Sequence, residues 1–322
     1  MSGSDRWAAS GVAPGKGEKV KKPRSVVLGV DFSASSRRAL EVATAVSARA
    51  SAPLELLHVW NPNHLAGSGA TLVGLRSWIA DQKDLLIEQL DDWATNARKG
   101  GVDVSSRVVE GAASEMISEV ARSLGAGLVV VGRQGSANLA HVLLGSVSER
   151  VVRLASCPVL VVPEQTAAPQ SPERLMVGVD FSDASRDAYR AALRIAEELE
   201  ASRGLVLVYV HPGERENWLA DWRELADGGE HPHDQAALER WAEVPEDSRV
   251  PIESQVPVGN TERILMRAAE NEACDWLVLG LQGRTALEAL LMGSTTDRVL
   301  KLTDRPVLVV PMTSPRPGQS MS

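Results

Sequence analysis

One stretch of this chain is written twice. VVLGVDFSASSRRAL at residues 26–40 returns as LMVGVDFSDASRDAY at 175–189, and GRQGSANLAHVLLGS at 132–146 returns as GLQGRTALEALLMGS at 280–294. Asp31 thereby falls on Asp180, Leu90 and Trp93 on Leu238 and Trp241, and Gly111 on Gly259. Gly132, Gly135, Gly145 and Pro158 fall on Gly280, Gly283, Gly293 and Pro306. The shift is 149 residues at Asp31 and 148 from Leu90 onward, so each unit has the length of a domain. The chain is a tandem duplication of one domain, and not a solenoid of short repeats.

Both units share one order of elements. In the first, a β-branched run from Val26 to Val30 ends at Asp31, and Ser33 or Ser35 can cap the helix that follows. That helix carries Ala39, Val42, Ala43 and Val46 on one face. A strand over Leu54 to Trp60 leads through a polar excursion to a helix containing Leu86, Leu90 and Trp93. A third strand spans Val104 to Val109, and Met116, Ile117, Val120 and Ala121 mark another helix. Residues 128–132 form a fourth strand, a helix begins near Ser146, and residues 158–163 form the last strand. Continuously apolar strands alternating with helices predict an α/β fold of two tandem, doubly wound parallel domains.

The composition agrees. Aromatics make up 4% of the chain and eight of the twelve are tryptophan, so small aliphatic side chains must build the cores. The expected layout is a disordered basic arm over 1–24, domains over 25–163 and 173–311, a linker over 164–172 and a flexible tail over 312–322. The arm holds six Lys/Arg against Asp5 and Glu18, so from a formal total of −8 the remainder carries −12. That charge argues against nucleic-acid binding. No apolar run reaches the ~18 residues of a membrane span, and the expected setting is cytoplasmic. Cys157 and Cys274, one per unit, offer neither a metal spacing nor a disulfide framework. Buried packing is the expected role of both.

The repeated glycines carry the chemistry. Ligands of doubly wound sheets bind beyond the carboxyl ends of the strands, and Asp31 and Gly132 each stand at such an end. Gly132 and Gly135 make a turn without side chains, exposing backbone N–H groups. Gly145-Ser146 opens a helix whose first N–H groups lack internal partners and carry partial positive charge. Together they form an anion site of the kind phosphate occupies. A single Gly-x2-Gly is an ordinary turn; the same three-glycine spacing twice, behind matching strands, is a site. Asp31 and Asp180 are either turn formers or, with Ser33 and Ser182 doing the capping, acceptors for a base amino group or a ribose hydroxyl.

The spacing Gly-x2-Gly-x9-Gly-Ser, with GVDFS early and CPVLVVP late, resembles the ATP-binding branch of the universal stress protein family. The resemblance covers both units and implies five-stranded parallel sheets of order 3-2-1-4-5. It implies one adenine-nucleotide site per domain: Asp31, Val59, Gly132, Arg133, Gly135, Gly145, Ser146 and Val147 in the first. In the second the matching residues are Asp180, Val210, Gly280, Gly283, Gly293, Ser294 and Thr295. The implied ligand is ATP with Mg2+ or Mn2+ at the phosphates. The last strands, Val159–Val162 and Val307–Val310, are expected to join the two units or two chains as a homodimer. Two departures stand out. The second unit has Leu281 where the first has Arg133, with Arg284 beyond the next glycine, and Gly127 stands where the second unit has Asp275.

Three functions compete: a nucleotide-binding stress regulator, a slow ATPase or nucleotidyl enzyme, and an interaction scaffold. An enzyme needs a placed base or transition-state charge beyond a phosphate cradle. No Gly-x4-Gly-Lys-Ser/Thr loop is present. His141 in the first glycine stretch is matched by Ala289, and His231 and His233 flank a proline in a polar loop. The regulator leads, with a cyclic nucleotide as the rival ligand. The 214–233 loop, with Trp218 and Trp222, is a lid or a partner contact.

Overall fold

The computed structural model describes residues 24–61, 72–135, 144–166, 171–211, 232–282 and 292–312. The first repeat runs β1 (Val26–Val30), α1 (Ala34–Ala50), β2 (Leu54–Trp60), α2 (Leu72–Arg98), β3 (Val104–Glu110), α3 (Ala113–Ser123), β4 (Leu128–Gly132), α4 (Ser146–Leu154) and β5 (Val159–Val162). The second runs β6 (Arg174–Val179), α5 (Asp183–Glu198), β7 (Gly204–Tyr209), α6 (Pro232–Trp241), β8 (Ile252–Gln255), α7 (Thr261–Asn271), β9 (Trp276–Gly280), α8 (Ser294–Leu302) and β10 (Val307–Val310).

The ten strands of the described residues belong to one sheet, ordered β3-β2-β1-β4-β5-β10-β9-β6-β7-β8. Each half reads 3-2-1-4-5 in its own numbering, parallel throughout. The inner strands β1, β4, β5, β9 and β10 are apolar on both sides because helices cover both, whereas the edge strands β3 and β8 carry polar residues such as Ser105, Arg107 and Glu253. α1, α2, α5 and α6 close one core through Ala39, Leu90, Ala192 and Leu238. α3, α4, α7 and α8 close the other through Ile117, Val151, Leu265 and Val299. Leu28, Leu56, Leu160 and Leu207 are wholly buried, each burial worth about 1.5–3 kcal/mol.

The halves meet where β5 pairs antiparallel with β10, Leu160 opposite Leu308. The last strands thus join the two units within one chain. Since the seam reverses direction, the carboxyl ends of β1 and β4 lie at one end of the sheet and those of β6 and β9 at the other.

The Asp275/Gly127 difference has a physical account. The Asp275 carboxylate accepts from the N–H groups of Glu173 and Arg174 at 2.8 and 3.0 Å, pinning the start of β6. At Gly127 the chain instead makes room for Arg24, whose Cβ would lie 2.8 Å from an added one.

Candidate functional site

Both domains turn from their first strand into their first helix through an aromatic residue in the left-handed region, Phe32 at φ 61° and Phe181 at φ 62°. Side chains other than glycine adopt that conformation at a cost of about 1–3 kcal/mol. Each ring is braced by the same kind of neighbours. Phe32 lies 4.7 Å from the His58 ring and meets Trp93 edge-on at 5.5 Å, and Phe181 stands likewise to Tyr209 and Trp241. Arg37 and Arg186 cover the two tryptophans. Sequence reasoning missed this device, although Phe32, Arg37 and Trp93 recur as Phe181, Arg186 and Trp241.

The turn sets the Asp31 carboxylate. Ser33 caps α1 by accepting from Ser36 N–H at 3.1 Å. Its hydroxyl also donates to Asp31 Oδ1 at 2.6 Å, and Ser36 Oγ donates to the same oxygen. Capping by Ser33 therefore does not release the whole carboxylate: Oδ1 is committed to the turn. Oδ2 points at Gly135, where an added Cβ would stand 2.7 Å from it. Asp180 repeats the arrangement, with Oδ1 accepting from Ser182 N–H at 3.0 Å and from the Ser182 hydroxyl.

Across the cleft, Gly145 is the cap residue of α4 and Gly293 that of α8, at nearly equal backbone angles (φ −63°, ψ 140° and φ −61°, ψ 144°). Neither helix has a side-chain cap, whereas α1 and α5 are capped by serines. The loops are tied by their backbones: Gly145 N–H donates to Arg133 O and Gly293 N–H to Leu281 O, both at 2.8 Å. Ser148 Oγ donates to Gly132 O at 2.6 Å and Thr296 Oγ1 to Gly280 O at 2.9 Å. None of these motif glycines has a left-handed φ. At Gly132, Gly135, Gly145 and Gly280 the need for glycine is space, since an added Cβ would stand 2.5, 2.7, 3.1 and 2.8 Å from its nearest neighbour.

Asp31, Val59, Gly132, Gly135, Gly145, Ser146 and Val147 line one cleft of about 590 Å³, together with His58 and Glu149. Burial holds the His58 imidazole below its ordinary range, against the Val30 carbonyl and Asp31, which raise it. Its Nδ1 lies 2.8 Å from Val30 O. Glu149 is neutralised by Arg153 one turn on. Arg133 stands apart from that lining. It is 4% exposed, and its guanidinium runs to Thr303 O at the end of α8 and to Gln165 Oε1 at 3.2 Å. The cause is the backbone: Arg133 N–H still pairs with Val162 O, continuing β4 alongside β5, and the side chain spans the seam. It bridges the domains and does not reach the cleft.

In the second domain Asp180, Gly280, Gly293, Ser294 and Thr295 line a cleft of about 180 Å³ as outlined by the described residues. Thr261 and Leu279 enter it where the first cleft has the smaller Ala113 and Val131. Val210 follows Tyr209 as Val59 follows His58; it is 6% exposed in the buried cluster against which Val59 also packs, and of β7 it is Val208, like Leu57 of β2, that lines the cleft as outlined by the described residues. Gly283, Arg284, His141, His231, Trp218 and Trp222 lie outside the described residues, as do 1–23 of the arm and 313–322 of the tail; the side chain of His233 is likewise not described.

Among the described residues no group of three His, Cys, Asp or Glu is disposed to hold a metal. No helix among them is long and apolar enough to cross a membrane. Cys157 and Cys274 are buried, their thiols pushed up to about 11 by burial.

The universal stress protein family profile matches residues 23–163 and 172–311. The universal stress protein Rv2005c of Mycobacterium tuberculosis is 27% identical over 308 residues, covering 90% of this chain and 98% of that protein. Rv2623 of the same organism is 27% identical over 296 residues, covering 88% and 95%. A crystal structure of a universal stress protein from Archaeoglobus fulgidus superposes with TM-score 0.66 at 18% identity, covering 90% of this chain and 97% of that one, a likeness of fold. With the profile spanning both repeats, this chain belongs to the universal stress protein family.

Proposed function

We propose that this protein is an adenine-nucleotide-binding regulator whose principal site is the first-domain cleft. The observation that carries the reading is the convergence, in one cleft of about 590 Å³, of a strand-end carboxylate and the uncapped start of α4. The volume lies within the range of small-molecule sites. Phosphates fit the Gly145–Val147 turn, where the helix presents partner-less N–H groups and partial positive charge. Asp31 Oδ2 and the strand end at Val59 are the positions for ribose and base. ATP is the ligand of choice, with cyclic nucleotides as rivals. Mg2+ or Mn2+ would be carried on the phosphates, since the described residues offer no ligand cluster of their own.

The second cleft supports a weaker site. It repeats the aspartate and the glycine-capped helix, but Thr261 and Leu279 occupy part of the space. Binding, and not turnover, is the proposed activity. The His58 ring is held against Val30 O, and Glu149 is paired with Arg153. Thermal melting of nucleotide-free protein with ATP and magnesium tests the reading. Saturation at about 100 times Kd stabilises a binder by about 2.7 kcal/mol. An unchanged melting temperature with ATP refutes ATP binding, and a rise with a cyclic nucleotide alone would hand the cleft to that rival.

A further inference from the structure

The strands that join the domains have the same four residues, Val159-Leu160-Val161-Val162 and Val307-Leu308-Val309-Val310. Leu160 stands opposite Leu308, Val159 opposite Val309 and Val161 opposite Val307. The seam is therefore its own image about a local two-fold axis through the leucine pair. By itself it cannot tell partners apart. β5 against β5 of a second copy, or β10 against β10, would build the same ladder from the same side chains. Unlike pairing must be chosen by flanking residues that differ between the repeats.

The buried bridge from Arg133 is a poor selector. Its acceptor, the Thr303 carbonyl, closes α8 at φ −79° and ψ 147°, and Ala155 closes α4 at φ −66° and ψ 141°. A like pair of first domains would offer Arg133 the same carbonyl.

On the other face, the ends of α1 and α5 meet. Arg49 Nε donates to Leu199 O at 2.9 Å, and its guanidinium pairs with Glu200. The two helices end in the same turn: Ser51 N–H reaches Ala48 O and Ala52 N–H reaches Ser47 O, as Glu200 reaches Glu197 and Ala201 reaches Ala196. Ser51 and Glu200 share a left-handed φ of 50° and 49°. Arg49 thus corresponds to Glu198, and Ser51 to Glu200. In a like pair of second domains, Glu198 would face the partner copy's Glu200 twice, carboxylate against carboxylate. In a like pair of first domains, Arg49 would face only a serine.

We propose that the Arg49–Glu200 pair selects unlike over like domain pairing, and so keeps the first domain from joining its own kind in a second copy of this chain. The pair is exposed and adds little to stability in absolute terms. Selection needs only a difference, and here attraction lost and repulsion gained add together.

The test transposes the charges. Arg49→Glu combined with Glu198→Arg keeps composition and net charge, and leaves the strands and Arg133 untouched. A carboxylate at 49 then opposes Glu200 in the unlike pair, while a guanidinium at 198 meets Glu200 in a like pair. A protease site placed at 167–170 of the full chain is cut after folding, which removes the advantage of being tethered. The equilibrated halves are weighed by native mass spectrometry at low salt. For wild-type halves the equilibrium constant that converts two like pairs into two unlike pairs is expected about tenfold above its statistical value, which is ~1.4 kcal/mol. The transposed protein is expected to give mostly like pairs, drifting to the statistical mixture at ~1 M salt, where the Debye length is about 3 Å. Unlike pairs persisting in the transposed protein at low salt, or wild-type halves distributing statistically, would overturn the proposal.

Discussion

Gly132 lies against Ser35 so closely that an added Cβ would stand 2.9 Å from the Ser35 carbonyl carbon and 2.5 Å from its Oγ. Gly280 lies the same way on Ala184, 2.8 Å from its carbonyl carbon. What approaches these two glycines is the first turn of α1 or α5, seated on the end of the neighbouring strand. Gly132→Ala and Gly280→Ala are each expected to destabilise by about 1–3 kcal/mol, as overpacking does. Chemical denaturation of the two variants reads this, and unchanged midpoints would contradict the packing role.

Arg133 gives a second prediction because the second repeat supplies its own control, Leu281. Arg133→Leu removes a buried guanidinium from Thr303 O and Gln165. The stranded acceptors should lower stability by about 1–3 kcal/mol. The first cleft loses nothing, so ATP affinity should stay within about threefold, under 1 kcal/mol. A tenfold loss of affinity with unchanged stability would restore Arg133 as a phosphate ligand.

His58 makes stability depend on pH. Burial depresses its folded-state pKa below the ordinary 6.5. As pH falls through that value the unfolded chain takes up a proton that the folded protein refuses until lower pH, so stability falls with acidification across this window. His58→Gln removes the term. The loss of unfolding free energy between about pH 7.5 and 5.5 should be smaller in the variant, in the histidine range. Equal losses in both proteins would show that His58 is not held neutral.

The sheet was legible in the sequence because its inner strands are apolar on both faces and because the duplication prints every element twice. Asp31, Gly145 and Ser146 were legible for a local reason: each stands within a residue or two of an element's end, where backbone chemistry decides. Arg133 was not. Its direction depends on a seam between strands 148 residues apart, and no local pattern encodes what lies across it. Strand alternation puts Val208 and Val210 on one face without saying which of them stands at the cleft. The left-handed turns at Phe32 and Phe181 defied local preference, being held by tertiary packing on Trp93 and Trp241.

The most direct test of the account is calorimetric titration of nucleotide-free protein with ATP and magnesium, on wild type, Gly145→Glu and Gly293→Glu. A carboxylate at 145 would stand at the uncapped start of α4, where the phosphates are proposed to sit. The account predicts one tight site per wild-type chain, abolished in Gly145→Glu and retained in Gly293→Glu, with any weaker second site lost only in the latter. Tight binding that survives Gly145→Glu, or wild-type protein that takes up no ATP, would contradict it.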